Sequence, residues 1–94
     1  MQIKVVAKND KGCFAGLDSE GNYYVLTLDD IREIQLGDVL EGEFDGIGSL
    51  FYSVRNLSQG GSVKICLESW ESTQAQAFDF LGKLGAPTKI YTLN

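Results

Sequence analysis

Hydrophobic positions recur at every second residue along most of this chain, and that period defines strands. In QIKVVAK (2–8), Ile3, Val5 and Ala7 alternate with Gln2, Lys4 and Lys8, and Val6 breaks the polar side. Asn9-Asp10-Lys11-Gly12 has turn chemistry. CFAGLD (13–18) resumes as a strand in which Gly16 marks a bend or a close backbone approach. Ser19-Glu20-Gly21-Asn22 closes a hairpin into YYVLTL (23–28), rich in β-branched and aromatic residues. Asp29-Asp30-Ile31-Arg32 reads as a short helical turn with Asp29 as its N-cap. After a turn at 35–38, VLEGEFD sets Leu40, Gly42 and Phe44 on one face and Glu41, Glu43 and Asp45 on the other. A reversal at 45–48 leads into LFYSVRNL, and a turn at 58–61 into SVKICLE, which directs Val63, Ile65 and Leu67 inward.

The period then changes. Thr73-x-x-Gln76 matches a capping box, and Ala77, Phe78, Leu81 and Leu84 recur at helical spacing. Gly85 stands where a C′ glycine ends a helix, and Pro87 forbids continuation. TKIYTL returns to strand character. The expected fold is therefore mainly β, a barrel of five or six strands, with one C-terminal α-helix and a final strand. A chain of 94 residues supports one domain. Its barrel core is expected over 1–60, with a strand–helix–strand extension over 61–94. The helix and last strand are expected to cover an edge or an end of the barrel.

Placed in that frame, the first sixty residues resemble a cold-shock domain, a five-stranded Greek-key barrel of the oligonucleotide-binding class. Asn9-Asp10-Lys11-Gly12 is similar to the family's first turn, and Tyr24 to Ile31 to its third strand and following turn. Ile34 to Phe44 looks like its loop and fourth strand, and Tyr52 to Leu57 like its fifth. The resemblance implies single-stranded nucleic-acid binding on exposed aromatic rings, each stacked base contributing about 1–3 kcal/mol. The rings are missing at the matching positions. Val6 stands for the first-strand Trp, Cys13 and Ala15 for the Phe-Gly-Phe pair with Phe14 between them, and Val25 and Thr27 for the third-strand Phe and His. A nucleic-acid site would have to use Lys4, Lys8, Lys11, Phe14, Arg55 and Lys64.

Charge points elsewhere. Net charge is −5, but residues 18–45 hold nine of the thirteen carboxylates against Arg32 alone, a local net charge of −8. Such a block repels phosphates and steers a basic macromolecule. The expected function is a non-enzymatic, acidic protein-binding module, acting as an inhibitor, an immunity-type factor or an adaptor on a basic partner such as a nuclease. The expected contacts are Asp18, Glu20, Asp29, Asp30, Glu41, Glu43 and Asp45, with Tyr23 and Phe51 as aromatic anchors. The competing use of the same carboxylates is a solvated, soluble strand face. Tyr23, Phe51, Trp70 and Tyr91 can equally serve a second small core beneath the helix, completed by Phe78 and Phe80. A divergent cold-shock-like nucleic-acid binder is the alternative, and an accessory structural domain of a bacterial assembly a third class.

Other chemistry finds little footing. The chain has no histidine, the commonest general base, and no triad-like or phosphate-loop motif. Neither a catalytic residue, a cofactor nor a metal is expected; no carboxylate spacing matches an EF-hand loop. Cys13 and Cys66 read as small buried hydrophobes in a reducing, cytoplasmic setting. No apolar run approaches the roughly 20 residues of a membrane span, and the N-terminal stretch lacks a secretory pattern. The oligomeric state is open, including a homodimer through the final strand.

Overall fold

Alternation along the strands becomes closure in space. The structure is a computed structural model that describes residues 1–44, 51–85 and 89–90. Its strands are β1 (Gln2–Lys8), β2 (Cys13–Leu17), β3 (Tyr23–Leu28), β4 (Val39–Glu41), β5 (Tyr52–Asn56) and β6 (Ser62–Glu71), followed by helix α1 (Gln74–Leu84) and a two-residue β7 (Lys89–Ile90). β1-β2-β3 and β4-β5-β6 are two antiparallel meanders. They join through β3–β6 and β1–β4, which closes a six-stranded antiparallel barrel. The barrel thus runs past residue 60. β6, expected in the extension, is its longest stave, because its ten residues give it room to pair with β3 on one edge and β5 on the other. β7 adds to β1 beyond the end of β4, through Ala7↔Ile90 and Lys8↔Lys89.

Two bulges decide which residues face which core. β1 pairs Val5 with Gly16 but Ala7 with Ala15, so Val6 is an extra residue and the alternation inverts after it. Ile3 and Val5 therefore point into the barrel, while Ala7 points outward. β6 repeats the device, pairing Leu67 with Leu26 and Ser69 with Val25 around Glu68. The barrel interior collects Ile3, Val5, Phe14, Tyr24, Leu26, Ile34, Leu40, Phe44, Val54, Val63, Ile65 and Leu67. Gly16 is required there, since a Cβ at that position would run into the Ile3 side chain.

A second core lies outside the barrel wall. Ala7, Cys13, Ala15 and Val25 present a shallow seat, and α1 lays Ala77 and Leu81 on it. Phe78, Phe80, Leu84 and Tyr23 close the rim, with Tyr23 and Phe78 edge to face at 6.3 Å. The helix starts as read from its capping box: Thr73 Oγ1 accepts from Gln76 N–H at 3.2 Å and donates to Gln76 Oε1 at 3.0 Å. Its end differs from expectation. Gly85 is extended (φ 165°), not left-handed, and is needed because a Cβ would strike the Lys11 side chain. Asn9 ties this end down by donating to Leu81 C=O at 3.1 Å while its Oδ1 accepts from Lys11 and Cys13 N–H.

The β3–β4 connection is also corrected. Residues 30–32 form bends, and 29–32 contain no helical turn. Asp30, not Asp29, is the local cap: Oδ1 accepts from Arg32 N–H at 3.0 Å and Oδ2 from Lys64 N–H at 3.2 Å. Further along, buried Asp38 accepts from Gln35 N–H and from the Asn56 and Gln59 side-chain amides. Asn56 Oδ1 in turn accepts from Ser58 and Gln59 N–H, both at 3.0 Å. This polar network locks the 33–38 and 57–61 loops together over one end of the barrel.

Candidate interaction surface

Strand direction sorts the acidic residues between two ends. β1 and β3 run toward the end carrying the 9–12 turn and the 29–38 and 57–61 loops, and β2 and β4 run away from it toward the 18–22 hairpin. Asp29 and Asp30 sit at the first end; Asp18, Glu20 and Glu43 sit at the second. The −8 block is therefore not one surface. Asp45 lies outside the described residues.

Several expected contacts are engaged inside the chain. Asp18 accepts from Glu20 N–H, Asn22 N–H and Tyr24 O–H, all at 2.9 Å. Partial burial pushes this carboxyl up, but those bonds together outweigh it and hold it below the usual range. Glu41 accepts from Gln2 at 3.3 Å and pairs with Arg55 at 3.1 Å. Glu43 and Glu20 are exposed. Tyr23 is half-buried: α1 packs over its ring, and its hydroxyl donates to Gln74 Oε1 at 3.4 Å. Phe51 is exposed just before β5.

The residues set aside for nucleic acid separate as well. Phe14 is only 1% exposed, a barrel-core ring that no base can reach. Of the other positions aligned with stacking rings, Cys13, Ala15 and Val25 are buried as the seat of α1, and Val6 and Thr27 are half-buried. Lys4, Arg55 and Lys64 do share the outer face of β1, β4, β5 and β6, by the pairings Lys4↔Val39, Glu41↔Arg55 and Ser53↔Lys64. Glu41 stands among them and holds Arg55. Lys8 and Lys11 lie at the loop end, where Lys8 Nζ donates to Ile34 C=O at 3.1 Å.

At the loop end the structure exposes what sequence reasoning passed over. Ile31 is 100% exposed, at the tip of Asp29-Asp30-Ile31-Arg32-Glu33. Its loop is held from several sides. Asp29 N–H donates to Lys64 C=O at 2.9 Å, the Arg32 guanidinium donates to Ser62 C=O at 3.1 Å, and the Gln59 amide donates to Glu33 C=O at 3.3 Å. The N–H groups of Arg32 and then Lys64 hold the Asp30 carboxyl below its usual range. Leu57, 40% exposed, lies on the loop that Arg32 and Gln59 tie to this one. Beside them is an open depression of about 300 Å³ with a floor of Phe14, Leu28 and Ile34 and a rim including Lys8, Asp10 and Glu33. The sequence signal was an isolated Ile in a run of four charges, with no apolar neighbour two residues away on either side.

Among the described residues no three His, Cys, Asp or Glu side chains are placed to hold a metal ion, and no helix is long and apolar enough to cross a membrane. Cys13 and Cys66 are buried and form no disulfide. Burial, then the nearby Glu68 carboxylate, pushes the Cys66 thiol up, away from nucleophilic use. No protein-family model, no curated protein and no solved structure matches the chain.

Proposed function

We propose that this protein is a non-enzymatic, acidic protein-binding module whose contact surface is the 29–33 loop, with Ile31 as the anchor. It acts on a basic protein, as an inhibitor or immunity-type factor acts on a nuclease. The observation that carries this reading is the complete exposure of Ile31 on a loop whose backbone and charged neighbours are already bonded in place. A large apolar side chain held in water on a pre-ordered loop costs little further entropy to bind. The Asp29 and Glu33 carboxylates beside it would steer a cationic partner and set its register. The barrel wall that the cold-shock resemblance would use is occupied by α1, which favours this reading over the nucleic-acid one.

The test is a photo-crosslinking residue at Ile31, compared with one at exposed Ser53 on the barrel side, in the source cell. The expected result is one adduct specific to position 31, with a protein of high isoelectric point, competed by the unlabelled wild-type chain. In the purified pair, Ile31→Ala should weaken binding about tenfold or more, the range of an interface hot spot. Because Ile31 makes no buried contact, that variant keeps its stability. Equal adducts at both positions, or micromolar binding of single-stranded RNA or DNA at low salt that fades with added salt, would overturn the proposal.

A further inference from the structure

The one tryptophan of the chain lies at the opposite end of the barrel from Ile31, unused by that reading. Trp70 pairs with Tyr24 across β6 and β3 and leaves 46% of its surface in water. Its strand neighbour is anchored. Tyr24 O–H donates to Asp18 Oδ2 at 2.9 Å, with Met1 Sδ 3.4 Å from the same hydroxyl. Burial and then Asp18 push the Tyr24 phenol up. Trp70 thus stands across the strand pair from Tyr24, whose hydroxyl the 48%-exposed Met1 also approaches. The segments at this end, 17–23, 41–44 and 69–73, carry Asp18, Glu20, Glu41, Glu43 and Glu71. Arg55 holds Glu41, and beside the Met1 amine and Lys4, the partner of Leu17 across β1 and β2, acids remain in excess.

We propose that Trp70 is a second contact site, which takes an arginine side chain of a basic peptide segment, stacked on the indole and facing Asp18 and Glu20. Charge complementarity commits the occupant to a cation. The exposed indole face narrows it to guanidinium, which is planar, weakly hydrated and stacks on aromatic faces, whereas an ammonium is a compact, strongly hydrated point charge. The site is independent of the Ile31 surface, so the molecule can hold two basic segments at once, one at each end.

Since Trp70 is the only indole, its emission reports the site directly. Hexa-arginine amide titrated into the full chain should change that emission saturably. Hexalysine should act about five- to tenfold more weakly, and a neutral Gly-Ser peptide not at all. Amide shifts should appear at residues 18–22 and 69–71. Trp70→Leu, followed by those amides, should lose about five- to tenfold in affinity, and the exposed Glu20→Gln about two- to threefold, while Ile31→Ala leaves the response unchanged. Equal response to both peptides, amide shifts confined to 29–33, or wild-type affinity in both Trp70→Leu and Glu20→Gln would overturn the assignment. An Ile31→Ala chain that still binds its partner with wild-type affinity while keeping the Trp70 response would sink the function proposed above and leave this site standing.

Discussion

The Asp18 carboxylate closes the β2–β3 hairpin, holds Tyr24 at the barrel mouth and keeps its charge through three short hydrogen bonds. Its folded pKa lies below the ordinary carboxylate value. A depressed folded pKa adds stability that is present above the unfolded pKa, about 3.9, and is lost as pH falls through the folded one. Asp18→Asn keeps the shape and one acceptor but removes the charge. The variant should be less stable by about 1 kcal/mol at pH 7. In urea unfolding that gap should hold down to about pH 4 and close below it, where wild-type Asp18 also becomes neutral. A gap that is constant from pH 7 to pH 3 would show that the charge contributes nothing. The hairpin itself was legible from Ser19-Glu20-Gly21-Asn22. The carboxylate's engagement was not, because Tyr24 meets it only once β3 has paired and Asp18 reads locally as one more surface acid.

Helix α1 owes its seat to small side chains. Ala7, Cys13 and Ala15 leave the barrel wall low enough for Ala77 to sit directly on it, and Val25 and Leu81 fill the flanks. The positions that read as lost stacking rings are thus the positions an outer helix needs to be small. Ala15→Phe, which restores a ring of the cold-shock pattern, should lift the helix and destabilise the protein by about 1–3 kcal/mol, the cost of overpacking a filled core. Thermal melts and the Cys13 thiol-labelling rate check this; faster labelling shows the helix displaced. A neutral Ala15→Phe with unchanged labelling would mean that the helix does not depend on that surface. Strand existence and the helix boundaries were legible, since alternation, turn residues and the capping box are local. Facing was not. The bulges at Val6 and Glu68 each slip the register by one residue, and a one-residue slip sends every later side chain to the other side of the wall. That is why Ala7 leaves the face it shares with Ile3 and Val5 by simple alternation. Tyr23 does face outward as the alternation of β3 implies, but α1 packs over it, a long-range contact no local pattern announces.

At the scale of the whole molecule the acids divide between the barrel's two ends, and the question is what their mutual repulsion costs. The molecule measures 32 × 29 × 27 Å. At about 0.01 M salt the Debye length is near 30 Å, so every carboxylate feels every other; at about 0.15 M it is near 8 Å, and the ends no longer see each other. Added salt also weakens attraction. Among the described residues, however, the side-chain ion pairs are Arg55–Glu41 and Lys83–Asp79, both at 3.1 Å and both exposed. Such pairs contribute about 0–1 kcal/mol each. Against them stands a net charge of −5 with nine carboxylates concentrated in one third of the chain, a self-repulsion that compaction makes worse. Repulsion should win. Raising NaCl from about 0.01 to 0.15 M at pH 7 should therefore raise the melting temperature by a few degrees, ~1 kcal/mol corresponding to roughly 4–8 °C in a domain of this size. Arg55→Gln should leave that rise intact, because one exposed pair does not set the field. A melting temperature that falls with salt would mean that local attractions dominate. The acidic ends would then be neutralised within the fold and could not act as the long-range attractor of a basic partner.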